Sequence, residues 1–141
     1  MATDRSGKLG QQLLLEAGHH VGAYAIVKDE PSQIREQLTQ SCLRQEIDAI
    51  IFNGGTGIAP RDTTYDALET LLTEILPGFG ELFRYLSYQE IASRAIASRA
   101  IAGVYQGKLV FSVPGSSNAV NLAMTKLILP ELIHLVKQLR S

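Results

Sequence analysis

Between Gly54 and Thr64 the chain reads Gly-Gly-Thr-Gly-Ile-Ala-Pro-Arg-Asp-Thr-Thr. Glycines at 54, 55 and 57 let the backbone turn tightly and approach a ligand closely. They also leave N–H groups free to point at an anion. The helix start expected after the loop adds positive dipole potential. Arg61 supplies a planar fork suited to a phosphate or carboxylate. The loop lacks the Gly-Lys-Ser/Thr ending of a Walker A loop, and Pro60 stands where a Gly-x-Gly-x-x-Gly loop needs its last glycine. On spacing alone, a tight strand-to-helix turn without a ligand is the competing reading.

Asp62 sharpens the chemistry. A carboxylate beside an anion cradle would repel a phosphate unless a divalent cation sat between them. Mg²⁺ binds in that way, through one or two carboxylates plus substrate phosphates. The alternative is a helix N-terminal acid that only complements the dipole. Asp29 and Glu30 end the strand expected before them; parallel strands place their carboxyl ends on one edge, so these acids would face the same cleft or serve as solvated turn residues before Pro31. Pro114-Gly115-Ser116 is a second strand-to-helix loop, in which Ser116 would either cap a helix or bind a ligand; Asn118 shares that ambiguity. Cys42, the sole cysteine, reads as a buried or half-buried thiol with no base beside it. His19, His20 and His134 match no zinc spacing.

The elements that must position these residues follow from hydrophobic period. Leu9, Leu13, Leu14 and Ala17 predict a helix over 6–17, which Gly18 stops. Val21–Val27 reads as a strand. Pro31 suits a helix start, and Ile34, Leu38 and Cys42 mark a helix over 32–45. Asp48–Asn53 is a short apolar run of the parallel-strand type, so strand, helix and strand form a βαβ unit. A further helix carries Ala67, Leu68, Leu71, Leu72 and Ile75, capped by Thr63 or Thr64. Pro77–Gly80 breaks the pattern before a short helix over 81–86. Ile91–Ala95 and Ile96–Ala100 repeat one pentapeptide, whose period fits neither helix nor strand. Ile101–Tyr105 and Lys108–Val113 flank Gln106-Gly107 as a hairpin. Ala119, Val120, Ala123, Met124, Leu127 and Ile128 line a helix that Pro130 interrupts before a last helix. The expected fold is a single α/β domain over 1–141, a three-layer αβα sandwich with a mostly parallel sheet and a C-terminal hairpin.

Composition excludes whole classes. Of 141 residues, 45% are apolar and 19% charged, which is too apolar for disorder. A net charge of −1 excludes nucleic acid as a partner bound through charge. No uninterrupted apolar run approaches a membrane span. The polar stretch Met1–Lys8 does not read as a signal peptide. With one cysteine, a reducing cytoplasm is the expected compartment.

Several spaced motifs together resemble the molybdenum cofactor biosynthesis family of MoaB/Mog type. They are Gly-Gly-Thr-Gly-x-x-x-Arg-Asp-x-Thr at 54–64, Leu-Pro-Gly-Phe-Gly-Glu at 76–81, Ser-Arg-Ala-x-Ala-Gly at 98–103, Pro-Gly-Ser at 114–116 with Asn118-Ala119-Val120, and Leu-Ile-Leu-Pro-Glu-Leu at 127–132. The resemblance covers nearly the whole chain in order. It implies a three-layer α/β fold, usually trimeric, with a homotrimer or hexamer expected. It also implies molybdopterin binding and, in active members, adenylylation of molybdopterin by Mg-ATP with release of pyrophosphate; related members bind without turnover. Carried over, Gly54, Gly55, Thr56 and Gly57 would hold the pterin or its phosphate. Arg61, Ser98, Pro114, Gly115, Ser116 and Asn118 would complete the substrate site. Asp62 and Asp29 would be the catalytic, Mg²⁺-holding acids. The chain departs from the pattern in three places. Only Met1-Ala2-Thr3 precedes Asp4-Arg5-Ser6-Gly7, so the family's first strand is expected to be missing. Phe52-Asn53 replaces Thr-Thr, and Ser117 stands where Pro is frequent.

Overall fold

Leu109, Phe111 and Val113 alternate with Val110 and Ser112 along one strand, and all five are buried. Successive strand side chains point to opposite faces, so a strand buried at all five of these positions must be covered on both. The computed structural model, which describes residues 4–141, meets that requirement with helices on each side of the sheet. The strands are β1 (Ala49–Asn53), β2 (Glu74–Ile75), β3 (Ile101–Tyr105) and β4 (Lys108–Val113). Among the described residues they form one sheet in the order β1-β4-β3-β2. The helices are α1 (Arg5–Glu16), α2 (Pro31–Cys42), α3 (Thr64–Leu71), α4 (Pro77–Ile91), α5 (Ser117–Ala123) and α6 (Leu129–Leu139). Phe83 of α4, Val120 and Ala123 of α5 and Leu132 of α6 pack on one face with Leu109, Phe111 and Val113. Leu9, Leu13 and Leu14 of α1 join them. Ile34 and Leu38 of α2 and Leu68 of α3 pack on the other face with Ile101 and Val110. This is the expected three-layer αβα architecture.

The hairpin forms as read. Ile101 pairs with Ser112 and Tyr105 with Lys108, antiparallel. Gln106 and Gly107 both take positive φ, 49° and 78°, as a type I′ turn requires. Asp4 caps α1, its Oδ1 accepting from the Gly7 amide at 3.0 Å. Pro31 begins α2.

Several expectations are corrected. The sheet is mixed: β1 runs parallel to β4, while β4–β3 and β3–β2 are antiparallel. Val21–Val27 is irregular and not a strand, so the βαβ unit lacks its first member. Among the described residues no strand lies beside it to receive its backbone hydrogen bonds, and strand propensity without a ladder does not make a strand. Ile75 leaves the helix for β2, where it pairs with Gly103. Pro77–Gly80 does not break a helix but begins one, because proline's missing N–H is harmless in a first turn. The result is α4, of 15 residues, where only 81–86 was expected. Phe79 of that first turn meets Phe111 edge-on, with ring centroids 5.4 Å apart.

Pro130 stands in the first turn of the last helix, α6, the helix start read for it. A π-turn over Met124–Ile128 precedes it and joins α5 to α6, letting the helical path accommodate a proline that cannot donate to the ladder. The run Ser117–Leu139 is 23 residues with mean hydropathy 1.4 in its most apolar window, enough by length and composition for a membrane span. Val120, Ala123, Met124, Ile128 and Leu132 of this run are buried against the sheet, which accounts for that composition. The duplicated pentapeptide becomes the end of α4 and a 3₁₀ turn over Ala92–Ala97.

Candidate ligand cleft at the carboxyl ends of β1 and β4

Parallel neighbours place their carboxyl ends on one edge, and β1 and β4 are the parallel pair. The loops that leave them meet there: the Gly54 amide donates to the Val113 carbonyl at 2.9 Å. A Cβ on Gly115 would stand 3.1 Å from the Gly54 Cα, so the two loops touch backbone to backbone. Ligands in open α/β sheets bind at this edge.

A cleft of about 380 Å³ opens at the junction. Of the residues singled out in the sequence, Gly54, Gly55, Thr56, Gly57, Asp62, Ser98, Pro114 and Gly115 line it. Arg94 and Ala97 line it too, which sequence reasoning missed. The signal was present: both belong to the duplicated pentapeptide, whose two copies turn a cation and a hydroxyl toward the cleft. Arg61 is exposed and does not line it. Nor does Ser116, whose Oγ accepts from the Ala119 amide at 3.1 Å to cap α5. Asn118 is exposed on the first turn of that helix. Asn53 donates through Nδ2 to Ser6 Oγ at 2.7 Å, which fixes the end of β1 to α1.

The carbonyls of Gly55, Thr56 and Gly57 are each engaged. Gly55 O accepts from the Tyr65 amide at 3.2 Å. Arg99 donates Nε to Thr56 O at 2.8 Å and Nη2 to Gly57 O at 2.6 Å. Its Nη1 pairs with Asp66 Oδ1 at 3.0 Å, and its guanidinium lies 4.3 Å from the Tyr65 ring centroid. Burial pushes the Tyr65 phenol above its ordinary value, with Glu69 adding to the rise, so the ring under Arg99 stays neutral. The amides of Gly55, Thr56 and Gly57 have no hydrogen-bond partner among the described residues. Three successive free amides behind satisfied carbonyls make the kind of nest that takes an anion.

The two acids have different surroundings. Asp62 lines the cleft. Its Oδ2 accepts from the Ala59 amide at 3.2 Å, and a Cβ on Gly57 would stand 2.6 Å from that oxygen. Asp29 lies beneath the loop. Its Oδ1 takes the Thr63 amide at 3.0 Å, Thr63 Oγ1 at 2.7 Å and Thr64 Oγ1 at 2.9 Å. Asp29 thus caps α3, whose own N-cap residue Thr63 makes no side-chain cap. Its Oδ2 would stand 2.5 Å from a Cβ on Gly55, where φ is +67°. Among the described residues no group of three or more His, Cys, Asp or Glu side chains could hold a metal by itself. The donor set suits a cation that arrives with a phosphate substrate, for which one or two carboxylates suffice.

The fold and this cleft define an α/β protein with a glycine-rich loop lining a cleft at the carboxyl edge of its sheet. The sequence profile of the family described as "Probable molybdopterin binding domain" matches residues 1–134, and the chain belongs to that family. It is 56% identical over 140 residues to molybdenum cofactor biosynthesis protein B of Bacillus subtilis, a match covering 99% of this chain and 82% of the relative. A solved molybdenum cofactor biosynthesis protein B superposes with a TM-score of 0.95 at 51% identity, covering 98% of this chain and 86% of that one. The tungsten cofactor synthesizing protein MoaB of Pyrococcus furiosus superposes with a TM-score of 0.90 at 35% identity, covering 99% and 88%.

Proposed function

We propose that this protein acts in molybdenum cofactor biosynthesis, binding molybdopterin in the cleft and transferring to it the adenylyl group of ATP. The observation that carries the reading is the Gly55–Gly57 loop, whose three amides have no partner among the described residues and which lines a cleft together with Arg94 and Asp62. In the reaction, a molybdopterin phosphate oxygen attacks the α-phosphorus of ATP, the bond to the β-phosphate oxygen breaks, and pyrophosphate leaves. Such transfers need positioning and charge stabilisation more than covalent help from the protein. The nest amides hold phosphate oxygens, and Arg94 takes up negative charge that develops there. Ser98 and the Pro114-Gly115 turn close the opposite wall. Bound Mg²⁺ would neutralise charge on the phosphates, and Asp62 is the residue that would hold it. Asp29, with Oδ1 committed to Thr63 and Thr64, shapes the Gly55 turn instead. In this reading the protein works in the cytoplasm, with Cys42 a reduced thiol, and assembles as a homotrimer or hexamer.

A second reading, molybdopterin binding without turnover, is favoured by the commitment of Asp29, which leaves Asp62 the one acid on the cleft wall. Molybdopterin with Mg-ATP and a pyrophosphate assay separates the two. Adenylylation predicts release by the wild type and a loss of about a hundredfold or more in Asp62→Ala, with the circular dichroism spectrum unchanged. Full turnover by Asp62→Ala removes Asp62 from the mechanism. Molybdopterin bound by the wild type without pyrophosphate release supports the second reading.

A further inference from the structure

Ala92, which caps the end of α4, has φ 54° and ψ −135°. Those values match the first central position of a type II′ turn, where a Cβ is costly and glycine sits freely. Among the described residues the one other non-glycine with positive φ is Gln106, in the hairpin turn. The neighbours of Ala92 in sequence do not demand its conformation. Ile96-Ala97-Ser98-Arg99-Ala100 repeats Ile91-Ala92-Ser93-Arg94-Ala95, and Ala97 takes no positive φ. One pentapeptide follows two backbone paths, so tertiary structure imposes the strained one.

The chain is pinned on both sides of Ala92. Phe83 and Ser87 of α4 are buried before it, and Ala95 is buried after it. Between these anchors stands Arg94, which lines the cleft. The second copy's arginine, Arg99, is fixed by Thr56 O, Gly57 O and Asp66. Arg94 is exposed and makes no ion pair among the described residues. Side-chain partners therefore place Arg99, whereas the backbone at residue 92 places Arg94. Strain of this kind persists where the surroundings over-determine it, and it clusters at ligand sites.

We propose that Ala92 is a positioning residue whose positive φ brings Arg94 to the phosphate cleft. Its strain makes that arrangement one of two. In the other, residue 92 relaxes to negative φ and the turn carries Arg94 away from the cleft. A polyphosphate draws the turn to the strained arrangement, and its affinity is reduced by the share of molecules that are relaxed. The inference deepens the reading of the cleft as a phosphate site and rests on it.

The probe is inorganic pyrophosphate with Mg²⁺, titrated calorimetrically into the full chain, Ala92→Gly, Arg94→Ala and the double variant. Glycine accepts positive φ without steric cost, so Ala92→Gly is expected to raise the thermal midpoint by about 3 °C. It is also expected to tighten pyrophosphate about threefold, by raising the share of molecules with Arg94 at the cleft. Arg94→Ala is expected to weaken pyrophosphate about tenfold. In the double variant the higher midpoint remains and the gain in affinity vanishes. A merely structural role would raise the midpoint alone. Unchanged affinity in Ala92→Gly, an unchanged midpoint, or tightening that survives Arg94→Ala each overturns the proposal and leaves the phosphate reading standing. Absence of pyrophosphate binding by the wild type overturns the phosphate reading, and this inference with it.

Discussion

Arg99 donates to two successive loop carbonyls, pairs with Asp66 and stacks on Tyr65. Only a planar guanidinium can make all four contacts at once, because its donors lie in a fixed fork and its faces are free for the ring. Arg99→Ala is expected to release Thr56 O and Gly57 O, loosen the nest and lower adenylyl transfer about tenfold or more, with KM rising. Arg99→Lys keeps the charge, loses the fork and is expected to rescue little of this. Steady-state kinetics on the two variants checks both statements, and full activity in the lysine variant would reduce the role to charge. Gly55→Ala meets two obstacles, a φ of +67° and a Cβ within 2.5 Å of Asp29 Oδ2. It is expected to cost about 1–3 kcal/mol, read as a lower urea midpoint. The glycines announced their own role in the sequence. Arg99 did not, since an arginine in a loop carries no sign of which carbonyls it will find.

Elements place these residues, and their boundaries were the less legible part. The start of α3 is capped by Asp29, 34 positions earlier in the chain, and no local rule relates the two. Helix α4 ran from Pro77 to Ile91 because tertiary packing overrides the weak local pattern of Pro-Gly-Phe-Gly. Phe83, 1% exposed, is the residue by which α4 enters the core, and Phe79 docks on Phe111. Phe83→Ala is expected to destabilise the fold by about 3–5 kcal/mol, measured by denaturant titration. By contrast, the hairpin was fully legible. Its turn depends on two adjacent residues and its strands on near neighbours, so local physics sufficed.

At the scale of the whole molecule, α4 and the turn after it show a face without a partner. Leu82, Tyr85 and Tyr88 are 53%, 60% and 61% exposed, and Ile96 is 86% exposed. Apolar surface grouped in this way marks an association site on soluble domains. The proposed homotrimer or hexamer is expected to give a light-scattering mass three or six times that of the chain at working concentration. Tyr85→Glu with Tyr88→Glu is expected to reduce it to the protomer. A persistent wild-type monomer would count against the assembly.

The sequence by itself determined the α/β class, the helices and strands with strong period, and most of the cleft. Gly54–Gly57, Asp62 and Pro114-Gly115 were readable because strand ends and glycine loops announce a carboxyl-edge site through local pattern, while Ser98 came only from the family resemblance. Tertiary structure alone decided which acid lines the cleft. Asp29 and Asp62 are the same residue type on similar loops, and only the arrival of Thr63 and Thr64 above Asp29 separates them. It alone brought Arg94 into the cleft and Arg99 behind it. It alone left Val21–Val27 without a strand partner. The physical reason is common to all of these: a hydrogen bond or a ladder needs two partners, and the chain names one while the fold supplies the other.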